Sequence, residues 1–214
     1  CCSTTGERLP TPTEKALSRV AQSASVSQFG VDEAGKGPVL GSMFAAAVGI
    51  PDPSVLPADV DDSKNLAPAR REELAAELRE RDRIAVGVAE VPVARIDDPE
   101  TDMNTLTVQA HAEALTEVLG DGPGVVAEDA STGTDDDATG IAARDAVTGI
   151  VDAGDTSEDR FARRVADSVP AAVDLTAEHG ADEEHAVVGA ASVVAKVERD
   201  AHVADLAEQY AETH

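Results

Sequence analysis

Aromatic residues are almost absent from this chain of 214 residues, which has three Phe, one Tyr and no Trp. Its core must therefore be built mainly from Ala, Val, Leu and Ile. A chain of this length is typical of one domain and can bury a substantial core. We expect residues 1–27, which are rich in Ser, Thr and Pro, to form a flexible tail, and residues 28–214 to form the domain.

Long hydrophobic runs and a cysteine framework are also missing. No stretch approaches the roughly 20 apolar residues that span a bilayer, and no signal-peptide pattern is visible. The only cysteines, Cys1 and Cys2, are adjacent, which matches neither a disulfide framework nor the spacing of a metal site. A lipid-modified N-terminal Cys remains an alternative. We predict a reduced, cytoplasmic protein that has no membrane partner, and we expect a monomer.

Positive charge is scarce, and lysine is the scarcer of the two basic residues. The formal net charge is −25, and only four of the 17 basic residues are lysines: Lys15, Lys36, Lys64 and Lys196. One interpretation is an acidic, hydrated surface adapted to high salt, where screening acts over about 3 Å at 1 M. The other is a surface that binds cations or a basic partner. The depletion of lysine favours the halophilic interpretation and suggests that the remaining lysines stand where an amine is needed.

Apolar segments alternate along the chain with helical patterns, which indicates an α/β domain. Strands are predicted from apolar runs and alternation, at about residues 26–32, 40–50, 83–93, 124–129 and 171–178. Helices are predicted from periodicity and terminal signals, at about 67–82, 103–120, 157–169 and from 186 to the C-terminus. Residues 131–155, rich in Asp, Thr and Gly, are predicted to form an acidic, solvated insertion.

Carboxylates follow two of these predicted strands, and another precedes the last helix. Asp32 and Glu33 end the first strand, Glu128 and Asp129 end the fourth, and Asp182 lies in the loop before the final helix. Side chains at strand ends in α/β sheets converge on one edge, where carboxylates repel one another unless a cation intervenes. Mg²⁺ suits such ligands, and two ions about 4 Å apart could clamp a phosphodiester. Because the chain has 42 acids, ordinary solvated acidic loops remain the alternative.

A Gly-Lys-Gly turn follows the first pair of acids. Gly35 and Gly37 permit positive φ angles and a close approach of the backbone to a ligand, which larger side chains would block. The exposed backbone could then bind a sugar hydroxyl or a phosphate, and Lys36 would supply charge. An ordinary tight turn is the alternative interpretation.

Four stretches, in order, resemble the motifs of the ribonuclease HII family, the type 2 ribonucleases H. They are "GVDEAGKGPVLG", "DSKNL", "MNTLTVQAHAEAL" and "GAASVVAKVERD". The resemblance runs from about residue 29 to the C-terminus. It implies a ribonuclease H-like fold, in which helices flank a mixed five-stranded sheet. In the first motif, Lys36 stands where the family more commonly has Arg.

The resemblance also implies a set of site residues. The catalytic and metal-binding carboxylates of the family match Asp32, Glu33, Asp129 and Asp182, with Mg²⁺ or Mn²⁺ as the cofactor. Gly35, Lys36 and Gly37 match the turn that senses the 2′-hydroxyl, the group that distinguishes RNA from DNA. Further positions that match residues binding substrate or supporting the site are Ser63, Lys64, Asn104, Ser192 and Lys196.

The implied activity is hydrolysis of RNA in an RNA–DNA hybrid, or at a single ribonucleotide in duplex DNA, with a role in DNA replication and repair. The products would carry 3′-hydroxyl and 5′-phosphate ends. One alternative is a hydrolysis-deficient nucleic-acid-binding remnant, because the family's C-terminal G-S-G-Y-P-S-D motif is not in this sequence. Another is a two-metal nuclease acting on DNA or Holliday junctions, which the Gly-Lys-Gly turn disfavours.

Overall fold

The computed structural model describes residues 26–37, 40–60, 66–120 and 147–213, and within them the strands form one mixed sheet. Its five strands are β1 (Gln28–Ala34), β2 (Met43–Ile50), β3 (Ala85–Val91), β4 (Val147–Asp152) and β5 (Val173–Glu178). They lie in the order β3-β2-β1-β4-β5. β2 is antiparallel to β1 and β3, whereas β4 is parallel to β1 and β5. The predicted mixed five-stranded sheet is confirmed.

The four long helices begin and end close to the predicted positions, whereas two four-residue helices were not predicted, one of them lying where the sequence predicted a loop around Asp182. They are α1 (Pro68–Glu80), α2 (Val93–Ile96), α3 (Met103–Leu119), α4 (Glu158–Ser168), α5 (Ala181–Glu184) and α6 (Ala186–Thr213). Asp102 caps α3 by accepting a hydrogen bond from the backbone N–H of Thr105 at 3.0 Å, and Gly120 ends that helix with a φ of 73°. None of the helices in the described ranges combines the length and apolar character needed to cross a membrane.

Helices pack on both faces of the sheet and give two hydrophobic clusters. Alternate residues of β2 divide between them: Ala45 and Ala47 lie in the cluster with α3 and α4, and Ala46 and Val48 lie in the cluster with α1 and α6. This follows from the two-residue period of a strand. Small side chains allow close packing, as the near-absence of aromatic residues requires.

Strand β4 lies in a segment that the sequence predicted to be insertion. The strand predicted at residues 124–129 lies outside the described residues, and the position beside β1 is occupied by residues 147–152. The upper boundary of the predicted insertion is therefore corrected, because residues 147–152 belong to the central sheet. The short run "VTGIVD" carries a strand pattern, but its Asp-, Thr- and Gly-rich surroundings outweighed it in the prediction.

The parallel pairing of β1 and β4 sets the position of the site. Val31 of β1 is opposite Val151 of β4. The next residue of each strand is an acid, Asp32 in β1 and Asp152 in β4, so both acids emerge at the same edge of the sheet. The fold thus assembles carboxylates from segments that are 120 residues apart in the numbering.

Candidate active site

Three carboxylates converge where β1 and β4 end. Asp32, Glu33 and Asp152 each offer one oxygen, and these oxygens all lie within 4.8 Å of one another. Asp32 and Glu33 are consecutive in a strand, so their side chains leave opposite faces of the sheet. Asp32 is on the side of α6, and Glu33 is on the side of α3. Asp152 completes the group from the neighbouring strand.

Asp32 is the most enclosed of the three, with 6% of its surface exposed. Burial raises the pKa of its carboxyl to about 7, and the neighbouring charge of Glu33 adds to the effect. A hydrogen bond from Ser192 on α6 opposes this rise. The backbone N–H of Glu33 also donates to Asp32 Oδ1 at 2.7 Å. Asp32 is therefore a carboxylate that benefits from a neighbouring cation.

Glu33 is held from two sides by groups that favour its charged form. His111 Nε2 on α3 lies 2.8 Å from Glu33 Oε2, and Lys36 Nζ lies 3.9 Å from Glu33 Oε1. Burial acts to raise the pKa of Glu33, but the hydrogen bond from His111 and the charge of Lys36 outweigh it, so the pKa is lowered. Glu33 is thus ready to bind a cation in its ionised form.

Asp152 connects the group to α5, the short helix that carries Asp182. The backbone N–H of Ala181 donates to Asp152 Oδ1 at 2.9 Å. Burial raises the pKa of Asp152, and the charges of Glu33 and Asp182 raise it further. Asp182 lies outside the group of oxygens within 4.8 Å, and its Oδ2 is 4.0 Å from Lys196 Nζ. Neighbouring carboxylates thus add to the effect of burial on the pKa of both Asp32 and Asp152.

The Gly-Lys-Gly turn lies beside this group. Gly35 has a φ of 97°, and a Cβ at this position would stand 3.0 Å from the Ser42 carbonyl oxygen. The conformation therefore requires glycine. Gly37 does not have a positive φ, but it is exposed and has open space where its Cβ would stand. Lys36 Nζ donates to the carbonyl oxygen of Gly154, which fastens the turn to the segment after β4.

An open groove of about 580 Å³ lies next to the acids and the turn. Asn104, in the first turn of α3, is exposed at this groove, as the resemblance implies for a residue that touches substrate. The groove is lined by Glu33, Lys36, Asn104, Ala153, Gly154, Asp155, Thr156 and His179. Glu33 thus faces an open surface that can admit an extended ligand, and Asp32 and Asp152 lie within 4.8 Å of it.

The other residues implied by the resemblance have different positions. Ser192 is fully buried, and it contacts Asp32 and accepts a hydrogen bond from Lys196 Nζ at 2.7 Å. In this arrangement the Ser192 hydroxyl contacts Asp32 and Lys196 in the interior and is not exposed at the surface. Lys196 lies between Ser192 and Asp182. Ser63 and Lys64 lie outside the described residues.

The third carboxylate differs from the one implied by the resemblance. Asp129 lies outside the described residues, whereas Asp152 is the acid that the structure brings to Asp32 and Glu33. The sequence holds a signal for Asp152, because "VTGIVD" is an apolar run ended by an acid, as "GVVAED" is. Both runs satisfy the local pattern, and only the pairing with β1 distinguishes the run at 147–152.

His111 is a second residue that the sequence interpretation did not single out. It lies on the buried side of α3, one turn after Thr107 and one turn before Leu115, which are also buried. At this spacing a histidine in "VQAHAEAL" is expected to be part of the core face. Its contact with Glu33 joins residues 78 positions apart, so nothing in the local sequence indicates it.

The chemistry of these residues fits a hard divalent cation. Carboxylate oxygens are the ligands that Mg²⁺ and Mn²⁺ prefer. The raised pKa values of Asp32 and Asp152 show that their negative charges are under-compensated by the protein. A divalent ion would supply the missing positive charge. Asp32, Glu33 and Asp152 can hold such an ion, and Asp182 lies beside them.

Comparisons with known proteins agree with this geometry. The family model described as Ribonuclease HII matches residues 29–134 and 139–214. Ribonuclease HII of Haloarcula marismortui is 56% identical over 183 residues, which cover 86% of this chain and 74% of that protein. Its counterpart in Halobacterium salinarum is 56% identical over 182 residues, covering 85% and 73% of the two chains.

A solved structure shows the same arrangement of the backbone. Ribonuclease HII of Archaeoglobus fulgidus, in its complex with PCNA, matches with a TM-score of 0.67 and 29% sequence identity. The match covers 86% of this chain and 76% of that one. The fold, the position of the acids and the sequence relatives all indicate the same class of protein.

Proposed function

The chain belongs to the ribonuclease HII family and has its ribonuclease H-like fold, and from this premise we propose a specific activity. It is a metal-dependent endonuclease that cleaves the RNA strand of RNA–DNA hybrids and cuts at single ribonucleotides embedded in duplex DNA. The observation that carries the proposal is the convergence of Asp32, Glu33 and Asp152 beside the Gly-Lys-Gly turn. Acids suited to a cation thus lie beside a turn suited to a sugar hydroxyl, and Glu33 and Lys36 reach the same groove.

Asp32, Glu33 and Asp152 would hold the cation, with Asp182 as the fourth acid. We assign the third position to Asp152 because it ends the strand that pairs with β1. Mg²⁺ or Mn²⁺, when bound, would supply the charge that activates water and stabilises the phosphorane-like transition state, and two such ions are the arrangement proposed. Products with 5′-phosphate and 3′-hydroxyl ends would follow from attack of water on the phosphate 5′ to the ribonucleotide, with the P–O3′ bond breaking and O3′ leaving as the 3′-hydroxyl.

The protein's own residues prepare this site before substrate arrives. His111 and Lys36 keep Glu33 ionised, and Ser192 and the backbone N–H of Glu33 fix Asp32. These partners hold the carboxylates in one arrangement, so less conformational freedom is lost when the reacting groups come together. The fixed shape thus favours hydrolysis at one position of the groove.

Selection of RNA is assigned to the turn. Gly35 and Gly37 leave the backbone unobstructed, and Lys36 is held by the Gly154 carbonyl, so the turn has a defined position beside the acids. Its backbone groups are proposed to hydrogen-bond the 2′-hydroxyl, which DNA lacks. Asn104 is proposed to bind the sugar–phosphate backbone across the groove. The resemblance gives the same role to Ser63 and Lys64, and Lys196 is proposed to support Asp182.

A hydrolysis-deficient remnant of the same fold is not favoured. Such a protein would have no reason to keep three converging acids together with the partners that keep Glu33 charged and fix Asp32. Here these contacts are present in the described residues. The cytoplasmic location and the monomeric state remain predictions from the sequence.

The test is cleavage of labelled duplexes in molar KCl with Mg²⁺ or Mn²⁺. Three substrates are compared: an RNA–DNA hybrid, a DNA duplex with one ribonucleotide, and the same duplex made only of DNA. We expect cutting of the first two, with 5′-phosphate ends, and loss of cutting in Asp32→Asn. A folded wild-type protein that cuts neither RNA-containing duplex in either metal would overturn the proposal. Equal cutting of the all-DNA duplex would replace it with a general nuclease.

A further inference from the structure

His111 is a fully buried polar residue whose surroundings are otherwise apolar. Its side chain has no exposed surface, and its ring meets the ring of Phe161 edge-on, with centroids 5.2 Å apart and an interplanar angle of 84°. The position on α3 lies in the hydrophobic cluster between the sheet and α4. Burying a polar ring here is unfavourable unless it gains a strong hydrogen bond.

That hydrogen bond goes to Glu33. Nε2 lies 2.8 Å from Glu33 Oε2. An ionised carboxylate only accepts hydrogen bonds, so Nε2 carries the proton and donates it. The other ring nitrogen, Nδ1, is buried and has no partner among the residues that the structure describes. Among the described residues, the imidazole therefore makes a hydrogen bond only to Glu33 Oε2.

We propose that His111 is a positioning residue that orients the Glu33 carboxylate for the divalent ion. The inference rests on the proposed function and deepens it. With Oε2 held by His111, the carboxylate plane is fixed, and Oε1 remains toward Lys36 at 3.9 Å. Without His111, Glu33 loses the donor on the α3 side and is free to turn toward the Lys36 ammonium. Partners of this kind beyond the metal ligands typically change metal affinity by about 10- to 100-fold.

The test measures Mn²⁺ affinity by the electron paramagnetic resonance signal of the free ion, without substrate. His111→Phe keeps a ring against Phe161 but removes the hydrogen-bond donor. If this variant does not fold, His111→Met replaces it, because Met also lacks the donor and its flexible side chain fits the space more easily. His111→Gln keeps an N–H donor at about the distance of Nε2. Thr107→Val is the matched control, because Thr107 is buried on the same helix and bonds the Met103 carbonyl, not an acid. Thermal unfolding checks that each variant is folded.

We expect the donor-free variants to bind Mn²⁺ about 10- to 100-fold more weakly than wild type. His111→Gln and Thr107→Val are expected to stay within about threefold of wild type. Wild-type affinity in a folded donor-free variant would overturn the proposal, and so would equal weakening in the Gln variant or in the Thr107 control. If wild type binds Mn²⁺ but cleaves no RNA-containing duplex, the proposed function fails. The role of His111 is still tested in that case, because the Mn²⁺ affinities of wild type and the His111 variants do not depend on cleavage.

Discussion

At the scale of single residues, two adjacent acids have opposite properties. Asp32 points toward α6, where burial raises its pKa to about 7. Glu33 points toward α3, where His111 and Lys36 lower its pKa despite burial. The two-residue period of the strand separates the neighbours into different environments. A shift of one sequence position therefore reverses the direction in which the surroundings move the pKa of a carboxylate in the metal-free protein.

The raised pKa of Asp32 predicts a pH-dependent stability of the metal-free protein. The folded protein binds a proton at Asp32 more tightly than the unfolded chain does. The stabilising contribution of this proton to the free energy of unfolding is therefore fully present below pH 4 and is lost as pH rises through about 7. Asp32→Asn cannot lose a proton, so it is expected to be more stable than wild type at pH 8, by up to about 4 kcal/mol. The difference should shrink toward pH 4.

Denaturant unfolding of both proteins in one KCl concentration, with a chelator and across pH 4 to 8, measures this difference. Holding the salt constant matters because the net charge of −25 changes stability through screening. A difference between Asp32→Asn and wild type that is the same at all these pH values would contradict the burial of an ionisable Asp32.

The sequence predicted Asp32, Glu33 and the Gly-Lys-Gly turn because these residues are contiguous and follow an apolar run. It did not predict Asp152, because two short runs end in acids and only pairing with β1 chooses between them. The role of His111 was also not predictable, since its contact with Glu33 depends on how α3 packs against the sheet. Local pattern thus predicts single elements of the site, and tertiary packing decides which of them meet.

At the scale of elements, the short distance between α6 and β1 sets the positions of the α6 side chains that contact the acids. A Cβ at Gly30 would stand 2.5 Å from the backbone carbonyl carbon of Val187, near the start of α6. Only a residue without a side chain permits this contact. Because α6 carries Ser192 and Lys196, the same contact places the partners of Asp32 and Asp182.

Gly30→Ala is therefore expected to destabilise the protein by about 1–3 kcal/mol, since the added methyl group must displace backbone rather than a flexible side chain. Cleavage should fall as well, because α6 moves away from Asp32. Gly37→Ala is the matched control, since a Cβ there meets open space, and its stability should equal that of wild type. Thermal unfolding and cleavage of the hybrid measure both effects. A Gly30→Ala protein with unchanged stability and activity would contradict the close packing.

Helix limits were predictable because their signals are local. Pro68 begins α1, Asp102 caps α3, and Gly120 ends it. Strand β4 was not predictable from composition, because six residues of strand pattern follow a long acidic stretch. A strand that pairs on both sides, as β4 does with β1 and β5, is specified by neighbours that are distant in sequence.

At the scale of the whole molecule, most positive charge is already paired with acid. Arg70 bonds Asp59 at 2.6 Å, Arg83 bonds Asp52 at 2.9 Å, and Arg71 bonds Asp200 at 3.1 Å. With a net charge of −25, the surface at large repels a nucleic acid. We predict that attraction for phosphate comes from a local basic or neutral strip built from Lys36, Lys64, Lys196 and some Arg.

This distribution predicts a shallow dependence of nucleic-acid affinity on salt. Three lysines and some Arg at the site would release only a few counterions, so log K should fall with log [KCl] with a slope shallower than about −6. Fluorescence anisotropy with Asp32→Asn, which does not consume the hybrid, measures the slope. Lys64→Gln is expected to reduce the magnitude of this slope by about 1. Lys15→Gln, which lies outside the motifs, should leave the slope unchanged. A slope near −6 or steeper would contradict the local strip.

The most direct test of the account compares two Asp→Asn variants in cleavage of a DNA duplex containing one ribonucleotide. Asp152 lies with Asp32 and Glu33, so Asp152→Asn is expected to lower the rate by about 10²-fold or more, by analogy with removing one group that stabilises transition-state charge. Asp129→Asn should cleave at the wild-type rate, with circular dichroism showing that both variants are folded. The reverse result, an active Asp152→Asn and an inactive Asp129→Asn, would contradict the assignment of the carboxylates and the site built on it.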